Sequence, residues 1–182
     1  MRSIFTVHAG EYLVGSDIEK QFKKYNVWVP SEDTGIDLLV TNAKNRKMLG
    51  LQVKFSKDYA TAYMQSEYRD RFKAWGWWSL NRNKIEQSTA DLWVFVMQSF
   101  EYKTIESIVI TPSILLQKLG NIHRKRKTIQ LYLWVTNKNK CWDTRGLKKA
   151  ERILVANDSY SNKLRDFTPY LNNWTELKKE LR

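Results

Sequence analysis

The run Leu-Trp-Val-Phe-Val-Met at residues 92–97 constrains this chain more than any other segment. It is continuously apolar, yet far short of the roughly 18 uninterrupted apolar residues that a membrane helix requires. A short run of this kind, rich in β-branched and aromatic residues, reads as a strand covered on both faces, the mark of a central strand in a layered sheet. The chain around it has 182 residues, enough to bury a sizeable core as a single domain. Its 42% hydrophobic content, with only 7 Gly and 3 Pro, fits a globular protein and not a disordered one.

Flanking segments alternate between helix and strand patterns. Residues 9–24 read as a helix, because Glu11, Gly15, Ile18 and Phe22 fall on one face. Residues 25–30 read as a short strand, 31–35 as a turn and 36–41 as a second strand. A polar loop at 41–47 leads into a strand at 48–55. There Leu49, Leu51, Val53 and Phe55 share one face, and Gly50, Gln52 and Lys54 share the other. Residues 107–110 and 129–135 read as further strands, and 175–181 as a helical tail. Residues 112–119 read as a helix with Thr111 as its cap and Pro112 in first position. Residues 56–90 mix charges with aromatic residues and show no clear period. Strands interspersed with helices predict an α/β domain of three layers, a central mixed β-sheet flanked by helices. Its core spans about 9–111 and a C-terminal elaboration about 112–182.

The 31 Lys and Arg outnumber the 19 Asp and Glu, for a formal charge of +12. Such an excess repels itself in the folded state and favours a polyanionic partner, with nucleic acid the first candidate. Cys141 is the only cysteine, so no disulfide forms within the chain and nothing argues for export. Residues 1–15 lack a basic start followed by an apolar run, so a soluble, cytoplasmic protein without a signal peptide is expected. There is no glycine-rich phosphate loop, no HExxH, no paired CxxC and no GxSxG. His8 and His123 are the only histidines and lie far apart, which argues against zinc or triad chemistry and leaves no sign of an organic cofactor.

One hairpin offers the parts that phosphodiester hydrolysis needs: oxygen ligands for a hard cation and a cation beside the attacking water. Asp37 opens one strand, while Gln52 and Lys54 point to the same face of the next. The carbonyl of Val53 lies between them as a further oxygen. Glu11 falls on the inward stripe of the first helix, where a carboxylate is costly unless paired or near a metal.

The set Gly10-Glu11, Gly35-Ile36-Asp37 and Gln52-Val53-Lys54 resembles the PD-(D/E)xK phosphodiesterase superfamily, in the style of archaeal Holliday-junction resolvases and Mrr-type restriction endonucleases. The likeness covers roughly residues 9–57 and continues through 92–97. It implies a restriction-endonuclease-like fold and an endonuclease that hydrolyses DNA with Mg²⁺ or Mn²⁺. By position it gives Glu11, Asp37, Gln52 and Lys54 the catalytic roles, and Glu11, Asp37, Gln52 and the Val53 carbonyl the metal. Ile36 stands where many members carry Pro, and Gln52 where a carboxylate is commonest. The neutral amide lowers the charge offered to the metal and favours a one-ion site. It also opens the alternative of an inactive nuclease-fold nucleic-acid binder; a basic protein-interaction component of a defence system is the other.

Basic residues mark the expected DNA contacts: Lys44, Arg46 and Lys47 in the hairpin loop, expected to lie near the site, Lys57 just after the motif, and Arg124, Lys125, Arg126 and Lys127 in the densest basic run. Trp75, Trp77 and Trp78 are either a platform for unpaired bases or core residues, with core the better expectation. Asp91, just before the apolar run, reads as a cap. A homodimer is compatible with cutting two strands about a two-fold axis.

Overall fold

The computed structural model describes residues 9–32, 34–56, 70–99, 104–124 and 126–182. In chain order the elements are α1 (Ala9–Gln21), β1 (Tyr25–Trp28), β2 (Leu38–Asn42), β3 (Met48–Ser56), β4 (Phe72–Asn81), α2 (Arg82–Glu86), β5 (Leu92–Ser99) and β6 (Thr104–Ile110). They are followed by α3 (Pro112–His123), β7 (Thr128–Thr136), β8 (Cys141–Asp143), α4 (Lys149–Ala156), a 3-10 turn (Thr168–Tyr170) and α5 (Thr175–Glu180). Five strands form a mixed sheet in the order β1-β2-β3-β5-β6, with β3 and β5 parallel and the other pairs antiparallel. A second, three-stranded sheet has the order β4-β7-β8.

The apolar run becomes β5, and both its faces are buried. Leu92, Val94 and Val96 pack with Val14 and Ile18 of α1 and Leu177 of α5. Trp93, Phe95 and Met97 pack on the other side with Trp78, Leu80, Leu131 and Leu133 of the second sheet and Leu115 and Leu119 of α3. Each fully buried side chain of this size stabilises by about 1.5–3 kcal/mol. β5 is therefore anchored from both sides, and its neighbour β3 is held in register with it.

The expected α/β architecture with a central mixed sheet and flanking helices is present, with one addition. One face carries helices, α1 and α5, whereas the other is covered over β5 and β6 by a second sheet together with α3. That sheet arises partly from residues 56–90, where the sequence shows no clear element. Ala74, Gly76, Trp78 and Leu80 face inward at a period of two, which is a strand pattern, while an irregularity between Phe72 and Ala74 turns Phe72 to the opposite face. Trp75 is buried from the opposite face by Trp142, Tyr160 and Val155. The core reading therefore holds for Trp75 and Trp78, while Trp77 is 39% exposed. α1 ends earlier than the sequence pattern suggests, and its buried stripe runs through Glu11, Val14 and Ile18, with Gly15 and Phe22 only partly covered. No helix among the described residues is long and apolar enough to cross a membrane.

Candidate active site

Gly35 takes a φ of 85°, a left-handed turn open to glycine at little cost. The turn lays Ile36 against Gly50 and delivers Asp37 to the start of β2. The Asp37 N–H donates to the Leu51 carbonyl at 2.8 Å, just outside the paired positions of the β2–β3 ladder. Beyond this point β2 no longer runs beside β3, and the side chain of Asp37 takes its place. The Val53 N–H donates to Asp37 Oδ2 at 2.7 Å. In an antiparallel strand the N–H and carbonyl of one residue point the same way, so the Val53 carbonyl faces the same gap.

Asp37 lies one residue beyond the last registered pair of β2 and β3, Leu38–Leu51, and Gln52 lies beside Trp93 of β5. The Gln52 side chain joins Asp37 to this row. Gln52 Nε2 donates to Asp37 Oδ2. Lys54 is the next residue on that face, and its ammonium leans back over the Trp93 ring, 5.4 Å from the centroid. Trp93 is itself fixed by Nε1–H donation to Ser88 Oγ at 2.8 Å. Trp78 Nε1–H donates to the Lys54 carbonyl at 3.2 Å. The carboxylate at 37 and the amine at 54 are thus both tied to one cross-strand row.

Glu11 arrives from the other side of the sheet. A Cβ at Gly10 would stand 2.6 Å from Phe55 Cβ, so only glycine lets the first turn of α1 sit this close to β3. That approach brings Glu11 to the end of the sheet, where it is 4% exposed. Glu11, Asp37, Gln52, Val53 and Lys54 all line one cleft of about 1130 Å³. Asp37 is itself 7% exposed. The opposite wall is β4 and α2, contributing Ser79, Asn81 and Lys84, with Gln87 to Thr89 beyond them.

Among the described residues Glu11 and Asp37 are the cleft's only carboxylates. With the Gln52 amide and the Val53 carbonyl they make an all-oxygen donor set, the chemistry of a hard cation such as Mg²⁺ or Mn²⁺. No cluster of three or more His, Cys, Asp or Glu capable of holding a metal occurs among the described residues. Two carboxylates with neutral oxygens beside them would suit a single hydrated ion better than a carboxylate-rich cage.

The expected DNA contacts separate into two groups. The loop after α3 lies beside the cleft wall, because Arg82 at the start of α2 holds its backbone. Arg82 Nε donates to the Arg126 carbonyl at 3.1 Å, Arg82 Nη2 to that of Arg124, and the Arg82 N–H to that of Lys127 at 2.9 Å. Arg124, Arg126 and Lys127 are exposed there. The hairpin loop with Lys44, Arg46 and Lys47 does not adjoin the site as expected. It sits at the opposite end of β2 and β3, about 17 Å along the strand from Lys47 to Gln52. The reason is strand direction: β2 starts at the cleft and runs away from it. Lys57 and Lys125 lie outside the described residues, as does His8.

His123 is engaged elsewhere, 3.0 Å from the buried carboxylate of Asp143, and lines no part of this cleft. Asp91 acts as a structural clamp: its Oδ2 accepts from the Gly50 N–H at 2.7 Å, and its own N–H donates to the Gly50 carbonyl at 2.9 Å. The sequence reasoning missed Lys84 and Trp93. Lys84 lies within residues 56–90, where the sequence shows no clear element, while Trp93 was hidden inside an apolar run whose register with Gln52 only the fold supplies.

No family model matches the chain, and no curated protein matches it in sequence. Among solved structures, a bacterial homing endonuclease superposes on 99% of this chain and 95% of its own, with a TM-score of 0.44 and 13% identity. At that score the overlap does not identify a shared fold, and the functional reading stands on the cleft itself.

Proposed function

We propose that this chain is a metal-dependent endonuclease of the PD-(D/E)xK type that hydrolyses DNA phosphodiester bonds. The observation that carries the reading is convergence: Glu11, Asp37, Gln52, Val53 and Lys54 line one cleft, with Asp37 and Lys54 tied to the same row of the sheet. A basic loop beside the cleft and a net charge of +12 suit a polyanionic substrate.

In this reading Asp37, the Val53 carbonyl and Glu11 hold a Mg²⁺ or Mn²⁺ ion, with the Gln52 amide oxygen as an optional fourth donor. When bound, the ion neutralises charge developing at the scissile phosphate and offers an acidified water. Gln52 has a second task, since its N–H fixes the rotamer of the Asp37 carboxylate. Lys54 donates to the phosphoryl oxygen or the attacking water from a position set by the Trp93 ring. Lys84, Arg124, Arg126 and Lys127 take flanking phosphates without reading sequence.

The test is a supercoiled-plasmid assay. Nicking is expected with Mg²⁺ or Mn²⁺ and is expected to stop in EDTA. Asp37→Ala and Lys54→Ala should each slow it by at least roughly 100-fold while leaving DNA binding nearly intact. The neutral amide at 52 favours one other reading, a nuclease-fold protein that binds without cutting. Salt-sensitive binding with no metal-dependent nicking, indifferent to Asp37→Ala, would establish that reading instead.

A further inference from the structure

The second sheet covers only part of the face on which Asp37, Gln52 and Lys54 stand. The core between the sheets takes side chains from β5 and β6, and among the described residues none from β1 or β2. Ile36, packed on Gly50, forms its border. Beyond Ile36, among the described residues, no core cluster forms on this face of β1 and β2, and Asn26, Trp28 and Met48 are exposed there. Its rows follow from the register: Trp28–Leu39–Gly50, then Asn26–Thr41, then the basic hairpin loop.

Trp28 is 51% exposed on this open face. Its polar atom does not explain its place at the surface, because Nε1–H already donates to Thr41 Oγ1 at 3.1 Å. Thr41 Oγ1 donates in turn to Asn45 Oδ1 at 2.6 Å, and Asn26 Nδ2 donates to the same oxygen at 2.9 Å. Asn45 holds this position from a left-handed turn with φ of 53°. The chain of hydrogen bonds fixes the indole by its edge and leaves its ring to solvent. An ordered aromatic surface of this kind loses little freedom when a planar ligand stacks on it.

Trp28 pairs with Leu39, two residues from Asp37, which puts the two Cα atoms roughly 8 Å apart. That suits a nucleotide adjoining the one held in the cleft. Lys44 and Arg46 lie exposed in the hairpin loop at the far end of β2 and β3. A ring next to the cleft with cations beyond it is the arrangement that unpaired nucleic acid requires: a stacking surface for bases and charge for the backbone.

We propose that the open face of β1 and β2 is a binding track for an unpaired nucleic-acid strand leaving the cleft, with Trp28 stacking a base and Lys44 and Arg46 meeting the backbone. The inference deepens the proposed nuclease reading and rests on it. It assigns the substrate class: duplex DNA with a single-stranded extension is preferred to a blunt duplex of the same sequence.

The experiment compares a labelled blunt duplex with the same duplex bearing a single-stranded tail, by anisotropy in EDTA and by cleavage in Mg²⁺. The wild type should bind the tailed DNA more tightly. Trp28→Ala should weaken tailed DNA by on the order of 10-fold or more while leaving blunt DNA within a factor of about two. Trp28→Phe should recover most of the loss, and the single-turnover cleavage rate at saturation should not change. Melting curves of the variants check that the fold is kept. Equal effects of Trp28→Ala on both DNAs, or none on either, overturn the track and leave the nuclease reading standing. A wild type that neither binds nor cuts any DNA overturns the nuclease reading first, and the track with it.

Discussion

At position 52 an amide, not a carboxylate, faces Asp37. Two carboxylates at that distance would repel each other in the absence of a cation, whereas an amide donates a hydrogen bond and holds the site together without one. Gln52→Glu should therefore lower the melting temperature in EDTA and recover it on addition of Mn²⁺, with a larger metal-dependent shift than the wild type. A thermal melt with and without metal reads this directly; equal shifts in the two proteins would remove Glu or Gln at 52 from the metal's surroundings. Cys141 makes a contrasting case, a group whose chemistry is silenced by packing. Burial pushes its thiol well above the usual range, and Asp166, Asp143 and Glu106 add to the shift. The native state thus keeps its proton where an unfolded chain loses it. Above the unfolded value near 9.0, unfolding releases a proton, so the contribution of Cys141 to stability falls as pH rises. Thiol reagents at mild pH should label it only at the rate of unfolding, and rapid labelling of the folded chain would contradict this burial.

Between elements, the contact that matters most to the site is α1 on β3. Gly10→Val places a branched side chain where even a Cβ would stand 2.6 Å from Phe55. Relief requires α1 to lift, at a cost of about 1–3 kcal/mol, and takes Glu11 with it. The expected outcome is a lower melting point together with weaker Mn²⁺ affinity by calorimetry; unchanged metal affinity at a lowered melting point would remove Glu11 from the metal. This junction was partly legible in the sequence. β3 and β5 announced themselves, one by strict alternation and the other by an unbroken apolar run, so Gln52 and Lys54 could be placed on one face. Asp37 could be assigned to the neighbouring strand because Gly35 marked the turn before it. β4 was not legible, because Gly76 interrupts its inward row and Trp75 and Trp77 make the outward row look equally apolar. The burial of Trp75 depends on Trp142 and Tyr160, remote in sequence, and no local pattern reports them. The hairpin loop was misplaced for a related reason: composition shows that it is basic, but only strand direction shows which end of the sheet it occupies.

Across the whole molecule, charge is spread to both sides of the cleft. Arg124, Arg126 and Lys127 lie beyond the α2 wall, and Lys44 and Arg46 at the end of the open face. Binding should be steeply salt-dependent, since each phosphate neutralised adds about −0.9 to the slope of log K against log salt. Replacing Arg124, Arg126 and Lys127 by Ala should flatten that slope by roughly 2–3, and a flat wild-type slope would point away from nucleic acid altogether. These effects concern how DNA would be held; in the proposed reading, chemistry in the cleft turns on a metal ion. Diffraction from crystals grown with Mn²⁺, collected for its anomalous signal, measures this most directly. The account predicts one strong peak in the cleft, within bonding distance of the Asp37 carboxylate and the Val53 carbonyl, and its loss in Asp37→Ala crystals. Manganese bound elsewhere on the protein with none at Asp37, or a cleft peak that survives Asp37→Ala, would contradict it.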